Sequence, residues 1–170
     1  MKKLISVVIL NTLIASSVYA DGFYVSAGIL SERLKYKSLN AVVLIGYNIN
    51  QILSAELETS LDIVPGIMRL KETEPPYDTV DCKISHTSAF TKFSLPISGP
   101  IEPFARIGLT EITTEVMNNK QSETNFSYGF GAIWTMFEKL GLRVDYTIIN
   151  IDTKGNGSED IFSVSTVYSF

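Results

Sequence analysis

The chain has 170 residues, of which 45% are hydrophobic, and its 14 basic and 18 acidic side chains give a formal net charge of −4. This length corresponds to one domain with its own core. An acidic chain is a poor ligand for nucleic acid, and one Cys with one His cannot form an internal disulfide or a zinc centre. We therefore expect no metal and no cofactor.

Residues 1–20 have the pattern of a cleavable export signal. Lys2 and Lys3 supply the positive start, residues 4–14 are mostly apolar, and Val18 and Ala20 occupy the cleavage-site positions that need small residues. The apolar run is too short to span a bilayer comfortably as an anchor. We expect cleavage after Ala20, which leaves residues 21–170 with 12 basic and 18 acidic side chains and a net charge of −6.

Apolar and polar residues alternate with period two along most of the remaining chain, and a helical period is almost absent. This pattern predicts eight antiparallel strands. They are residues 22–31, 40–49, 53–63, 84–95, 102–113, 125–137, 141–151 and 161–170.

The connectors between these strands alternate in length. Residues 50–52, 96–101 and 138–140 are short turns, whereas 32–39, 64–83, 114–124 and 152–160 are long and polar. An up-and-down barrel that crosses a membrane has tight turns on its side of entry and long loops on the far side. The alternation predicts an all-β, eight-stranded antiparallel up-and-down transmembrane β-barrel.

The two faces of each predicted strand differ in character, one bulky and apolar, the other small and polar. The interior of an eight-stranded barrel is narrow, so we expect the small polar residues inside and the bulky ones against lipid. Aromatic residues near strand ends are expected in two interfacial girdles: Phe23, Tyr47, Phe104, Phe126, Tyr128, Trp134, Tyr168 and Phe170. The alternative is a soluble periplasmic barrel whose bulky face points inward and binds an apolar ligand.

Several motifs of this chain recur in a known family. They are Gly129-Phe130-Gly131, GLRVDY at 141–146, Tyr168-Ser169-Phe170 at the end, PFARIGL at 103–109 and IGYNINQILSAELE at 45–58. Together they resemble the small outer-membrane β-barrel family that includes the OmpA transmembrane domain and the opacity-type surface proteins. The resemblance covers the mature chain. It implies a porin-type, monomeric barrel in a Gram-negative outer membrane. Since no peptidoglycan-binding domain follows in this sequence, we expect a stand-alone barrel.

The same resemblance assigns a role to the last residues. In the family, a terminal aromatic strand is read by the barrel-assembly machinery during insertion, which here implies Tyr168 and Phe170. Thr166 occupies a lipid-facing position where an apolar residue is expected. The assembly signal is therefore expected to be serviceable but weaker than usual.

Seven charged residues fall on faces expected to line the lumen: Glu56, Glu58, Asp62, Lys92, Arg106, Arg143 and Asp145. Charges in a narrow interior must be paired to be tolerated. The favoured interpretation is a salt-bridged plug that closes the barrel. The alternative is a narrow passive pore lined by the same groups.

A hydrolase is a further alternative. His86 and Ser88 share a strand face, and Glu102 or Glu111 would lie on the next strand. A His-x-Ser pair with a nearby acid resembles the arrangement in outer-membrane lipid A deacylases. The pair lies on the fourth strand and faces the lumen, and no oxyanion donor is evident, so we assign no catalytic residue.

The long loops are the remaining candidate surface. Arg33, Lys35 and Lys37 could pair with lipopolysaccharide phosphates, although a solvated charged loop is the favoured interpretation. Residues 64–83 form the longest loop and are best placed to contact a partner, and Cys82 within it has no assigned role. The sequence thus predicts a structural, surface-presenting barrel surrounded by outer-membrane lipid, whose loops serve envelope integrity, adhesion or contact with a host ligand.

Overall fold

The computed structural model describes residues 22–32, 39–64, 66–69, 79–116, 119–151 and 157–170. The predicted export signal at 1–20 and the cations Arg33, Lys35 and Lys37 lie outside the described residues. The described part contains no helix long and apolar enough to cross a membrane. It contains nine strands: β1 (Phe23–Glu32), β2 (Leu39–Asn48), β3 (Leu53–Val64), β4 (Gly66–Arg69), β5 (Thr79–Ser94), β6 (Ile101–Val116), β7 (Asn119–Phe137), β8 (Leu140–Ile151) and β9 (Gly157–Ser169).

The strands form one antiparallel sheet that closes on itself. The last strand pairs with the first, from Tyr24↔Ser169 to Glu32↔Ile161, and β3 pairs with β5. β4 continues the third strand and pairs with the start of β5. Since β3 and β4 together form one strand of the barrel, the nine segments make eight barrel strands. The predicted eight-stranded up-and-down barrel is confirmed.

Both described termini lie at one end of the barrel, with the turns at 49–52, 95–100 and 138–139. We call this the turn end and the opposite rim the loop end. At the loop end the strands run farther than the sequence predicts: β6 and β7 pair as far as Val116↔Asn119, inside the predicted loop 114–124. Within the predicted loop 64–83, β4 pairs with a β5 that begins at Thr79. The β7 tip, residues 119–124, is polar on both faces, so it lacks the alternation that marks a half-buried strand.

The outer surface carries a continuous apolar band. On β6 the outward positions from Ile101 to Leu109 are apolar, and Glu111 is the first outward charge. At about 3.3 Å per residue and a tilt of about 40°, this stretch spans about 23 Å, close to the apolar height of membrane barrels. Polar residues bound the band at the same level on other strands: Ser31, Thr124, Asn150 and Asp160. The bulky face points outward, so the inverted, ligand-binding arrangement is not the one found.

Exposed aromatic side chains gather at the turn end. The rings of Phe23 and Tyr47 lie 4.7 Å apart and those of Tyr168 and Phe170 lie 5.2 Å apart edge to face. The backbone N–H of Phe170 donates to the carbonyl of Phe23 at 3.0 Å. The last residue is therefore tied to the first strand rather than frayed.

Three large aromatic side chains point into the lumen, against the expectation that only small polar residues line it. Tyr24, Phe90 and Phe104 are 2%, 4% and 3% exposed. The prediction that Phe104 belongs to an interfacial girdle is therefore wrong. Phe104 precedes Arg106 by two residues, so the two side chains share the inward face of β6.

Glycine makes room for these rings. Each inward aromatic lies directly opposite a glycine of the neighbouring strand; the pairs are Tyr24↔Gly46, Phe90↔Gly108 and Phe104↔Gly131. A Cβ added to Gly46 would overlap atoms of the Tyr24 side chain. Each ring therefore occupies the space beside a glycine backbone, and a side chain at that glycine position would displace it.

Candidate functional site

Arg143 on β8 is at the centre of a charged network in the lumen. Its Nη1 and Nη2 atoms donate to Glu56 Oε1 and Oε2 at 2.6 and 3.1 Å, and its Nε atom donates to Asp145 Oδ2 at 3.1 Å. The Tyr24 hydroxyl donates to Glu56 Oε1 at 2.6 Å, and Ser163 Oγ donates to Asp145 Oδ2 at 2.8 Å. Side chains from four barrel strands, β1, β3, β8 and β9, thus surround the Arg143 guanidinium and the carboxylates of Glu56 and Asp145.

Arg106 on β6 extends the same network. Its Nη1 atom donates to Glu58 Oε2 at 2.8 Å, and its Nη2 atom lies 2.5 Å from Asp145 Oδ1. Thr147 Oγ1 accepts from Nε and Nη2 at 3.1 and 2.6 Å. Since Glu56 Oε2 is also 3.9 Å from Arg106 Nη1, two arginines share three carboxylates.

Lys92 lies nearer the turn end and pairs with a residue outside the predicted set. Its Nζ atom is 3.2 Å from Glu102 Oε1, which also accepts from Ser94 Oγ at 2.6 Å. The Glu102 side chain is 43% exposed, whereas that of Lys92 is 3% exposed. The pair therefore marks the boundary between the buried network and the periplasmic mouth expected at the turn end.

Each of the three lumen cations also lies over an inward aromatic ring. Arg143 Cζ is 4.5 Å from the centroid of Phe104, and Arg106 Cζ is 4.2 Å from that of Phe90. The remaining cation, Lys92, has its Nζ atom 4.9 Å from the centroid of Tyr24. Cation–π contacts of this kind contribute about 2 kcal/mol when desolvated. These aromatics, including Phe104, which sequence reasoning placed outside, therefore belong to the charged site.

The network fills the middle of the lumen. Arg106 and Arg143 are each 1% exposed, and an apolar cluster follows toward the loop end: Leu30, Val42, Ile149 and Ile161, all buried. The two guanidinium groups form ion pairs with carboxylates on several strands, and almost no solvent reaches them. This arrangement therefore suits a closed, plugged lumen better than an open pore.

Asp62 does not lie among these contacts. It is half-buried on β3, opposite Asn40 of β2, toward the loop end. His86 and Glu159 also lie outside the network, and both are buried, with His86 Nε2 3.8 Å from Glu159 Oε1. Sequence reasoning placed His86 on a lumen face but did not consider Glu159. Glu159 was missed because the last strand was predicted to start at 161, although its parity matches that of the inward Ser163.

The residues weighed for a hydrolase do not come together as expected. Ser88 Oγ hydrogen-bonds to Thr110 Oγ1 at 2.9 Å, while His86 Nδ1 lies 3.2 Å from Ser60 Oγ. Ser60 Oγ also accepts the backbone N–H of His86 at 2.9 Å, a structural contact. Of the two candidate acids, Glu102 is paired with Lys92 and Glu111 is exposed on the outer face.

A Ser60–His86–Glu159 series does resemble a nucleophile, a base and an acid, but all three residues are at most 3% exposed. A substrate carbonyl has no visible approach to Ser60 in this position. Within the described part of the chain, no group of three or more His, Cys, Asp or Glu side chains is placed to hold a metal ion.

Comparison with known proteins gives a family and a fold. A model of the outer membrane protein β-barrel domain matches residues 4–170, whereas no curated protein sequence matches the chain. The N-terminal β-barrel domain of Pseudomonas aeruginosa OprF superposes with a TM-score of 0.67 at 13% identity, covering 88% of this chain and 98% of that one.

Two surface proteins superpose as well. Ail, the attachment invasion locus protein of Yersinia pestis, solved with the heparin analogue sucrose octasulfate, gives a TM-score of 0.62 at 13% identity over 88% of this chain and 99% of that one. Neisserial surface protein A gives a TM-score of 0.60 at 18% identity, with coverage of 88% and 98%. At these identities the likeness establishes the shared barrel fold.

Proposed function

Because the chain belongs to the outer membrane protein β-barrel domain family, we propose that it is a structural, surface-presenting barrel of the outer membrane and neither an enzyme nor an open pore. One observation carries this proposal: an apolar band encircles a lumen whose centre is occupied by buried ion pairs. The band supports residence in a bilayer. The ion-paired arginines support a closed lumen, so that the barrel serves as an anchor for the loop end.

The orientation follows from the same proposal. Residues 1–20 act as an export signal that is removed after Ala20, and the barrel of residues 21–170 inserts with its turn end in the periplasm. The barrel-assembly machinery reads Tyr168 and Phe170, which lie exposed and half-buried at that end. The loop end then faces outward, where it contributes to envelope integrity, adhesion or contact with a host.

One loop segment is assigned to a contact with lipopolysaccharide outside the cell. Arg33, Lys35 and Lys37 pair with the phosphates of lipopolysaccharide at the outer leaflet. Ail has been solved with the heparin analogue sucrose octasulfate, so a complex with a highly charged anion has a parallel on this fold. Replacing all three cations with Ser should weaken binding to lipopolysaccharide micelles and leave the barrel folded.

The test of the proposed function combines localisation with conductance. The chain should fractionate with the outer membrane and migrate faster in detergent gels before heating than after, as closed barrels do. In planar bilayers it should give no steady conductance. Recovery in the soluble periplasmic fraction would overturn the anchored barrel, steady single-channel currents would establish the narrow pore, and a lipid A deacylation product lost on His86→Ala would establish the hydrolase.

A further inference from the structure

Where the described barrel wall rises beyond the apolar band, one of its edges has no neighbouring strand among the described residues. β7 pairs with β6 from Asn119 to Trp134, but its pairing with β8 begins only at Ser127. Among the described residues, the segment Asn119–Phe126 therefore has a neighbouring strand on one side alone. Such an edge is a template for another strand.

The direction of the backbone groups on this edge follows from two hydrogen bonds. The N–H of Thr135 donates to Pro100 of the β6 side, and the carbonyl of Pro103 accepts from Leu95 on the β5 side. Backbone groups alternate in direction along a strand, and the β6–β7 register is constant. Odd-numbered residues of β7 thus bond to β6, and Lys120, Ser122 and Thr124 direct their N–H and C=O groups to the open edge.

A cleft lies at the base of this edge, where β7 and β8 separate. It has a volume of about 600 Å³ and is lined by Thr124, Asn125 and Phe126 on one side and by Asn150, Ile151, Gly157 and Ser158 on the other. Phe126 is 50% exposed. The cleft therefore offers an apolar wall within a polar rim, directly below the last free N–H group.

The edge carries one lysine, Lys120, a charged residue of the kind that discourages strand addition, but few of the other blocking features. Asn119–Phe126 contains neither Pro nor Gly and is long enough for six residues to pair beyond the band. The other outer edge of the extension, β4, has only four residues and follows Pro65. Of these two described edges, the β7 edge is the one long enough to accept a partner strand.

We infer that the β7 edge binds an extended segment of another protein by strand addition, with one apolar side chain of that segment seated against Phe126 in the cleft. This inference rests on the proposed function, which puts the loop end outside the cell. The outward N–H and C=O groups recur at every second residue of this edge. This spacing is complementary to the hydrogen-bonding groups of another extended polypeptide and of few other ligands.

The test uses the mature chain refolded in detergent micelles and a fluorescent synthetic peptide with the sequence of residues 107–116. That sequence is known to suit β7, since β6 pairs with Asn119–Phe126 on the other side. Fluorescence anisotropy should show saturable binding. Thr124→Pro, which removes an outward N–H, should weaken it about ten-fold or more, whereas Thr124→Val, which keeps that N–H and changes only the side chain at the cleft, should weaken it far less.

The controls make each outcome decisive. The same peptide N-methylated at alternate residues should not bind, and Lys120→Pro replaces Thr124→Pro if that variant loses heat-modifiable migration. The inference would be overturned if no saturable binding were seen at millimolar peptide, or if the Pro and Val variants bound the peptide equally. The proposed function would still stand in that case, provided that the wild type shows heat-modifiable migration. If the wild type forms dimers and the Pro variant does not, the β7 edge binds a second copy of this chain. That result would contradict the inference that it binds a segment of another protein.

Discussion

Arg143 and Glu56 form a bidentate pair between β8 and β3, with both Nη atoms within 3.1 Å of the two carboxylate oxygens. The two residues are 1% and 2% exposed. Each charge is therefore tolerated in the lumen only because the other is present. This dependence, rather than the net strength of the pair, is what mutation can reveal.

Arg143→Met should lower the free energy of unfolding by about 3–5 kcal/mol, because it leaves Glu56 as an uncompensated buried charge. Urea unfolding in micelles measures the change. Adding Glu56→Gln should recover part of the loss, and Lys139→Met in an exposed turn should have almost no effect. Equal, additive losses from the two lumen substitutions would contradict a coupled pair.

Gly46→Ala should destabilise the barrel by about 1–3 kcal/mol, since the new methyl group overlaps the Tyr24 ring. The displaced ring would also lose its hydrogen bond to Glu56 and its contact with Lys92. Tyr24→Leu in the Gly46→Ala background should be less destabilising than the two single changes added together. If the double variant is no better than the sum, the ring does not depend on the glycine.

Leu57→Arg should cost about 2–4 kcal/mol in a lipid bilayer, because Leu57 is 64% exposed near the middle of the apolar band. Ile63→Arg, near the loop end of the same strand, should cost about 0–1 kcal/mol. Unfolding titrations in vesicles compare the two. A barrel that does not sit in lipid would tolerate both substitutions equally.

Phe170→Ser should reduce the amount of folded barrel in cells while leaving refolding in detergent almost unchanged. A terminal aromatic read by the assembly machinery affects delivery rather than the stability of the finished barrel. Phe137→Ser is the matched control, since Phe137 is a 69% exposed aromatic at the same end. Similar losses in cells from both variants would show that general apolarity, not terminal position, matters.

Much of the fold is readable from the sequence because one side of each strand meets lipid and the other a narrow lumen. That contrast fixes the alternation from Leu53 to Ile63 and the inward face of Arg143. It disappears beyond the band, where residues such as Gln121 and Ser122 are solvated on both faces. The strand extensions at the loop end were therefore missed.

The charged site was less predictable because its packing depends on strand register. Parity alone places Phe104 beside Arg106, but the assumption that bulky side chains do not fit inside outweighed it. Only the register reveals Gly131 opposite Phe104, and only the closed barrel brings Glu56 to Arg143. Long-range pairing of this kind has no local signal in one sequence.

The most direct test of the account is the topology of the barrel in intact cells. On a Cys82→Ser background, Ser158→Cys at the loop end and Gln51→Cys at the turn end are both exposed positions. A membrane-impermeant maleimide should label Ser158→Cys on intact cells and Gln51→Cys only after the outer membrane is permeabilised. Labelling of Gln51→Cys on intact cells, or of neither position until permeabilisation, would contradict a barrel that presents its loop end outside.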